Sequence, residues 1–299
     1  MIKIRKRKSQ TRRTDGGQIE NPKSKIKNYP SLPKSYKKAF PFKIAATSYI
    51  FPDHIIPNVR AVGPFVDEIE LILFESKPES LPTDREIRVL ETLAKDLDIT
   101  YNIHLPLDVH LGSHDDTQRK ISIQTLNSIF NLTAPLNPTT HTLHLEYGGP
   151  ADDEENRERW ESYLFESFED LKSGGISGAS ISVETLFYPL NWLDDIIDEY
   201  NLSICMDIGH LILQNVPLLE IFEPYHNHIT MLHLHGVENG KDHLSLSKLS
   251  EPNWNALIRI LMTYKGVAGI EVFSFDHLKA SLEVFEYFWK KLMKLRGKE

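Results

Sequence analysis

The run Asp207-Ile208-Gly209-His210 sets a carboxylate and an imidazole three positions apart, where an apolar stretch (202–206) gives way to a loop. That stretch reads as a buried strand with Asp207 at its C-terminal end. Carboxylate oxygen and imidazole nitrogen both ligate zinc, manganese or iron, so the pair can hold one divalent cation. The same Asp can equally cap a following helix. By itself the motif decides nothing. Its setting does more, because nearly every other strand expected in this chain also ends in His, Glu or Asp.

Those strands follow from apolar alternation over residues 42–48, 66–74, 99–104, 141–146, 179–184, 202–207, 229–235 and 267–273. Amphipathic helices are expected between them. Thr83 and Glu86 form a capping box opening a helix striped by Ile87, Leu90, Leu93 and Leu97. Further helices are expected over 117–130 and 154–171, and a closing helix carries Leu278, Leu282, Phe285, Trp289 and Leu292 as core. Eight strands alternating with helices over about 250 residues predict an α/β fold, a (β/α)8 TIM barrel. An open doubly wound sheet is the runner-up, but neither G-x-G-x-x-G nor a P-loop is present to support it.

In such a barrel, ligands gather at the C-terminal ends of the strands, and period-two alternation gives the residues sharing the inward face. These are Glu70, Asn102 and His104, Thr142, His144 and Glu146, Ser182 and Glu184, Ser203, Cys205 and Asp207, His233 and His235, and Gly269 and Glu271. So many polar groups at one end of a barrel are costly to bury unless cations occupy the cluster. Glu184, Glu271 and His104 are the candidates for catalysis. His104, His144, Glu184, Asp207, His210, His233 and Glu271 are the candidate metal ligands, with Asp242 and His243 in the loop beyond strand seven closing over the site. His233 lies deeper than His235 and is the preferred ligand of the two; His235, Glu70 and Tyr49 are left for the substrate. His54, His110, His114, His141, His226, His228 and His277 read as surface or capping groups, and Cys205 as a small apolar filler.

Composition bounds the rest. A single cysteine excludes an internal disulfide framework and fits a reducing, cytoplasmic compartment. No apolar run approaches the ~20 residues a membrane span requires. Residues 1–40 hold thirteen Lys/Arg and two Asp/Glu, a formal +11, against −19 for the remainder. That segment is expected to be a disordered basic tail, with the barrel occupying residues 41–299. So acidic a body disfavours duplex DNA, whose binding rests on phosphate neutralisation by Lys and Arg.

The ordered set Glu70, His104, His144, Glu184, Asp207-x-x-His210, His233, Asp242-His243 and Glu271 resembles the xylose isomerase-like barrels, a superfamily that includes sugar isomerases and epimerases and endonuclease IV-type nucleases. The resemblance covers roughly residues 42–295. Within it, Thr47-Ser48-Tyr49-Ile50-x-Pro52, Pro57-Asn58-Val59, the 66–76 segment, His104-Leu105-Pro106-Leu107-Asp108, Asp207-Ile208-Gly209-His210-Leu211 and His233-Leu234-His235-Gly236 look like the cobamide-remodelling phosphodiesterases. The resemblance implies divalent metal (Zn, Mn or Fe) at Glu184, Asp207, His210, His233 and Glu271. It also implies an enlarged site through His104, His144, Asp242 and His243. Thr185 departs from the pattern, standing where an Asn is expected after the strand-five Glu.

The function these residues favour is metal-dependent hydrolysis of a phosphodiester in the nucleotide loop of a cobamide. The alternative is a metal-dependent sugar isomerase or epimerase, with Glu184 and Glu271 shuttling a proton. Either way the partner is a small molecule.

Overall fold

The computed structural model describes residues 29–296. Eight parallel strands close into a barrel: β1 (Lys43–Thr47), β2 (Glu68–Ile72), β3 (Thr100–His104), β4 (His141–Leu143), β5 (Ile181–Glu184), β6 (Ser203–Asp207), β7 (Ile229–Leu234) and, closing against β1, β10 (Val267–Ile270). The intervening β8 (Gly236–Glu238) and β9 (Lys241–Leu244) form a separate antiparallel hairpin above β7. The helices are α1 (Ile55–Val62), α2 (Asp84–Leu97), α3 (Asp116–Thr133), α4 (Glu154–Ser173), α5 (Asp194–Tyr200), α6 (Ile208–Leu213), α7 (Leu218–Tyr225), α8 (Glu251–Leu261) and α9 (Phe275–Arg296). All eight expected barrel strands are present and the TIM barrel is confirmed. Among the described residues no helix is long and apolar enough to cross a membrane.

Alternation does what a barrel requires of it. Ile69, Leu71, Ile103, Val183, Ile204, Met206, Leu232, Leu234 and Ile270 join the main core with the helices. The opposite face of each strand fills the interior, where Ala45, Cys205, Met231 and Val267 form a small separate cluster. Near the N-terminal end, fully buried Glu68 accepts from Lys43, Thr100, Asn102 and Thr139. The capping box is formed: Thr83 accepts from the Glu86 amide, and Glu86 accepts from the Thr83 amide at 2.8 Å.

The first twelve described residues correct the expectation of a tail running to residue 40. Leu32 and Tyr36 are buried against the barrel. Tyr29 stacks on Phe51, and Phe40 meets Phe285 edge-on with centroids 5.1 Å apart. The Tyr36 amide donates to the Phe65 carbonyl at 2.8 Å, and Lys34 pairs with Glu286. Tyr29, Leu32, Tyr36 and Phe40 supply apolar surface that the intervening lysines hide in a composition count. The part of the expected tail at 1–28 lies outside the described residues. Tyr36→Ala is expected to cost about 3 kcal/mol, as truncations of large buried aromatics do. Tyr36→Phe should cost little, because the buried hydroxyl has no hydrogen-bond partner. Thermal unfolding of the two variants separates these outcomes.

Candidate metal centre

Each strand ends by delivering one or two polar side chains to the same end of the barrel. Asp207 closes β6 and caps α6: its Oδ1 accepts from the His210 amide at 2.8 Å, which draws His210 in beside it. Capping and ligation are therefore served by one side chain. Glu184 closes β5, His104 closes β3, and His233 lies on β7. His144 and Glu271 follow β4 and β10, and the Glu271 amide donates to the Leu234 carbonyl at 3.1 Å. His243 arrives from the hairpin on β9.

Glu184 is the hub. Its Oε2 lies 2.9 Å from His144 Nε2, 3.5 Å from His104 Nε2 and 3.5 Å from His233 Nδ1, and its Oε1 lies 3.2 Å from His210 Nδ1. His233 Nδ1 is in turn 3.1 Å from Glu271 Oε2 and 3.9 Å from Asp207 Oδ2. Among the described residues four donor groups have their ligand atoms within 4.8 Å of one another; the two that matter most are His104, His144 and Glu184, and Glu184, Asp207, His233 and Glu271, while Cys205 and His233 join Glu184 in a third and His210, His235 and His243 form a fourth. Ligands at ~2.1 Å around a tetrahedral zinc stand ~3.4 Å apart, and the contacts here run from 2.9 to 3.9 Å. Glu184 belongs to both of the first two groups.

The unused nitrogens and oxygens fit cations. His233 Nε2–H donates to Glu70 Oε1 at 2.9 Å, leaving Nδ1 as the lone-pair nitrogen facing the carboxylates. His104 Nδ1–H donates to the Leu105 carbonyl at 3.0 Å, turning Nε2 toward Glu184, and His210 Nδ1–H reaches the Thr185 carbonyl at 3.1 Å. Buried His233 Nδ1, His243 Nδ1 and Glu271 Oε2 have no hydrogen-bond partner, though the two ring nitrogens lie 3.1 and 3.9 Å from that oxygen. Three orphaned donor atoms converging on one point are what a divalent ion satisfies.

Protons on the histidines offset the negative charge of these carboxylates. Burial opposes a charged imidazole, yet the carboxylates outweigh it, lifting His104 to about 9 through Glu184, and His210 to about 10 through Asp207 and Glu184. Burial likewise opposes ionised Glu184 and Glu271, and the surrounding histidines hold both well below the usual carboxylate range. Divalent ions entering the centre therefore displace protons from the histidines.

The structure places five residues otherwise than the sequence suggests. Glu70, expected to touch substrate, is buried on β2 and its Oε1 accepts from His233. His235 is also fully buried: its Nδ1 accepts from the His243 amide at 3.0 Å, so Nε2 carries the proton and donates to Asp207 at 3.1 Å. Its ring nitrogens approach those of His210 and His243, but with both nitrogens engaged it orients Asp207 and has no atom left for substrate or cation. A Cβ on Gly209 would stand 1.9 Å from this ring, so the glycine is what lets α6 pass over it. Asp242 joins none of the donor groups, because successive residues of β9 face opposite ways. Glu146 leaves the barrel interior and is exposed, since β4 ends at Leu143. His141, read as a surface or capping group, is buried against Phe130, and burial lowers it to about 4.

Glu70→Gln is expected to loosen metal binding about 10- to 100-fold, the usual effect of losing a carboxylate behind a ligating histidine. Titration of the metal-free variant with zinc would measure it.

Beside the centre opens a cavity of about 870 Å3 that shares His144 and His210 with it and reaches His110, His114 and Arg159. His110 and His114, read as surface groups, are lining residues. Tyr49 stands at the rim, 42% exposed. Thr185, in place of the expected Asn, accepts from the Asp207 amide at 2.9 Å and ties β5 to β6.

Residues 58–290 match the protein family described as "Xylose isomerase-like TIM barrel". Comparison with curated proteins gives no match. Among solved structures, a D-tagatose 3-epimerase-like protein superposes with a TM-score of 0.67 at 20% identity, over 85% of this chain and 99% of its own. A 3-keto-D-glucoside 4-epimerase from E. coli gives 0.62 at 14% identity, over 83% and 99%. Endonuclease IV from Thermus thermophilus also gives 0.62 at 14% identity, over 83% and 99%. At these identities the likeness concerns the fold.

Proposed function

This chain belongs to the xylose isomerase-like TIM barrel family, and we propose that it is a metal-dependent hydrolase cutting the phosphodiester in the nucleotide loop of a cobamide. The observation that carries the reading is the sharing of Glu184 between a three-residue and a four-residue donor group. Adjacent groups joined by one carboxylate suit a pair of cations, the arrangement that clamps both the attacking and the leaving oxygen of a phosphoryl centre. An epimerase working around one cation has no use for His104 and His144. The choice of a cobamide rests on the short motifs around Tyr49, His104 and Asp207, and on an acidic body that tolerates one phosphodiester better than a polyanion.

Divalent cations, when bound in this centre, would supply a water acidified toward neutrality and charge to offset that on the phosphoryl oxygens. The protein's part is to hold them. His104, His144 and Glu184 would hold one, and Glu184, Asp207, His233 and Glu271 would hold the other. Glu70 fixes the ring of His233 and His235 fixes the carboxylate of Asp207, so the ligands are in place before substrate arrives. The single buried Cys205 suits a cytoplasmic setting.

The second reading, a sugar isomerase or epimerase, draws on the epimerases among the structural neighbours. It also draws on Glu184 and Glu271, which flank His233 Nδ1 at 3.5 and 3.1 Å as a proton-shuttling pair would. Metal analysis of the purified protein, with the same sample given a cobamide and a ketose, separates the two. Hydrolysis predicts at least two cations per chain and release of a cobinamide-type corrinoid. One cation, an uncut corrinoid and an epimerised ketose would overturn it.

A further inference from the structure

Among the described residues seven large apolar side chains are exposed, and four of them, Tyr49, Phe74, Leu107 and Phe187, sit in loops that leave the C-terminal ends of barrel strands. Exposed apolar residues scattered singly are ordinary, whereas a collection at one place marks a binding surface. Here the collection surrounds the mouth above the metal centre.

These residues are also connected to that centre. Phe187 lies 5.2 Å from the His210 ring, and His210 lies 6.3 Å from His243. His243 packs edge-on against Phe273 at 5.0 Å, Phe273 meets Phe74 at 6.3 Å, and Phe74 meets Tyr49 edge-on at 5.0 Å. Six rings thus form an unbroken arc that runs through two of the centre's histidines and whose ends are open to solvent. Tyr49 is 42% and Phe187 62% exposed. The chain gains nothing in stability from leaving these rings uncovered. A phosphodiester lying at His210 and His243 would carry its substituents directly over them.

We propose that the arc is a platform for one arm of the substrate, a rigid, flat apolar group too broad to enter the barrel. The cavity of about 870 Å3 beside His144 and His210, which Phe187 borders and whose lining mixes His110, Asp153 and Arg159 with Trp160 and Tyr163, takes the other arm. The inference rests on the phosphodiesterase reading and gives each arm of that diester its place: a plate-like apolar substituent on the arc and a nucleoside-sized substituent in the cavity. A pocket of that volume falls in the range that encloses a whole small ligand. A six-carbon ketose would leave most of it as water.

Two diesters that differ in one arm test this, the 2-naphthyl and the methyl ester of thymidine 5′-phosphate. On the metal-loaded wild-type protein the KM of the methyl ester should exceed that of the naphthyl ester by about tenfold or more, the scale of stacking one flat ring system on aromatic side chains. In the Tyr49→Ser, Phe74→Ser double variant, which alters only exposed positions, that ratio should fall toward one. A ratio left unchanged by the substitutions, or near one in the wild type, overturns the platform. If neither ester is cleaved, the hydrolase reading is still decided by the cobamide assay. The platform is then judged on the same ratio measured as Kd, by naphthyl fluorescence and by competition with the methyl ester.

Discussion

Glu184→Gln should empty both donor groups at once and lower turnover by roughly three orders of magnitude, about 4 kcal/mol at ~1.36 kcal/mol per decade. Glutamine keeps the size of the side chain and can still hydrogen-bond His144. What it removes is the negative charge that both groups share. Asp207→Asn is the natural comparison, since Asp207 belongs only to the four-residue group. That variant should lose about half of its metal and retain the cation held by His104, His144 and Glu184. Metal content after gel filtration, read beside circular dichroism to establish folding, distinguishes the cases. Equal losses in the two variants would mean that Glu184 is not shared.

Stripped of metal, the protein should lose thermal stability as pH rises from 6.5 to 9, and the loaded protein should not. His104 is raised from 6.5 to about 9 and His210 from 6.5 to about 10 in the folded state. A folded-state pKa above the unfolded value contributes stability that is complete below pH 6.5 and drains as pH climbs through the folded value. Deprotonation then leaves Glu184, Asp207 and Glu271 facing one another without counter-charge. Those carboxylates carry the opposite dependence: held below their usual range, they contribute stability that is lost only as acid protonates them. In the loaded protein cations replace the protons, and the alkaline loss vanishes. Melting curves with and without chelator across this window measure the difference, expected at several degrees. A chelated protein whose melting temperature holds steady from pH 6.5 to 9 would refute proton-for-metal balance.

Strand positions were legible because apolar alternation is strong and each strand stops at a polar residue. Period two also told which residues share the inward face. It could not tell depth. Depth around a barrel comes from the stagger of neighbouring strands, and this separates Glu70, which orients a ligand, from the residues that face the cations; His235, nearer the mouth than His233, is set apart instead by the Asp207 carboxylate and the His243 amide that occupy its nitrogens. The hairpin carrying His243 went unread although its signal was present. Asn239-Gly240 adopt positive φ of 54° and 72°, the pairing that two-residue hairpin turns demand. The platform left no periodic trace, since its members are single loop residues following different strands. The packing of Tyr29, Leu32, Tyr36 and Phe40 was masked by the lysines between them.

The shared centre also bears on how the chain reaches its native state. Glu70 and His233 are 163 positions apart, and Thr47 Oγ1 donates to the Val272 carbonyl across 225. Contacts so distant in sequence form late, because the loops they close are entropically expensive until the rest of the structure rewards them. A ribosome releases the N-terminal strands first, and the last ligand, Glu271, emerges after every other. No partial barrel lacking β10 has the four-residue group. The four-residue group is thus completed only at the end of folding, and a chain interrupted before residue 271 is distinguishable from a finished one by its failure to retain a full complement of cations.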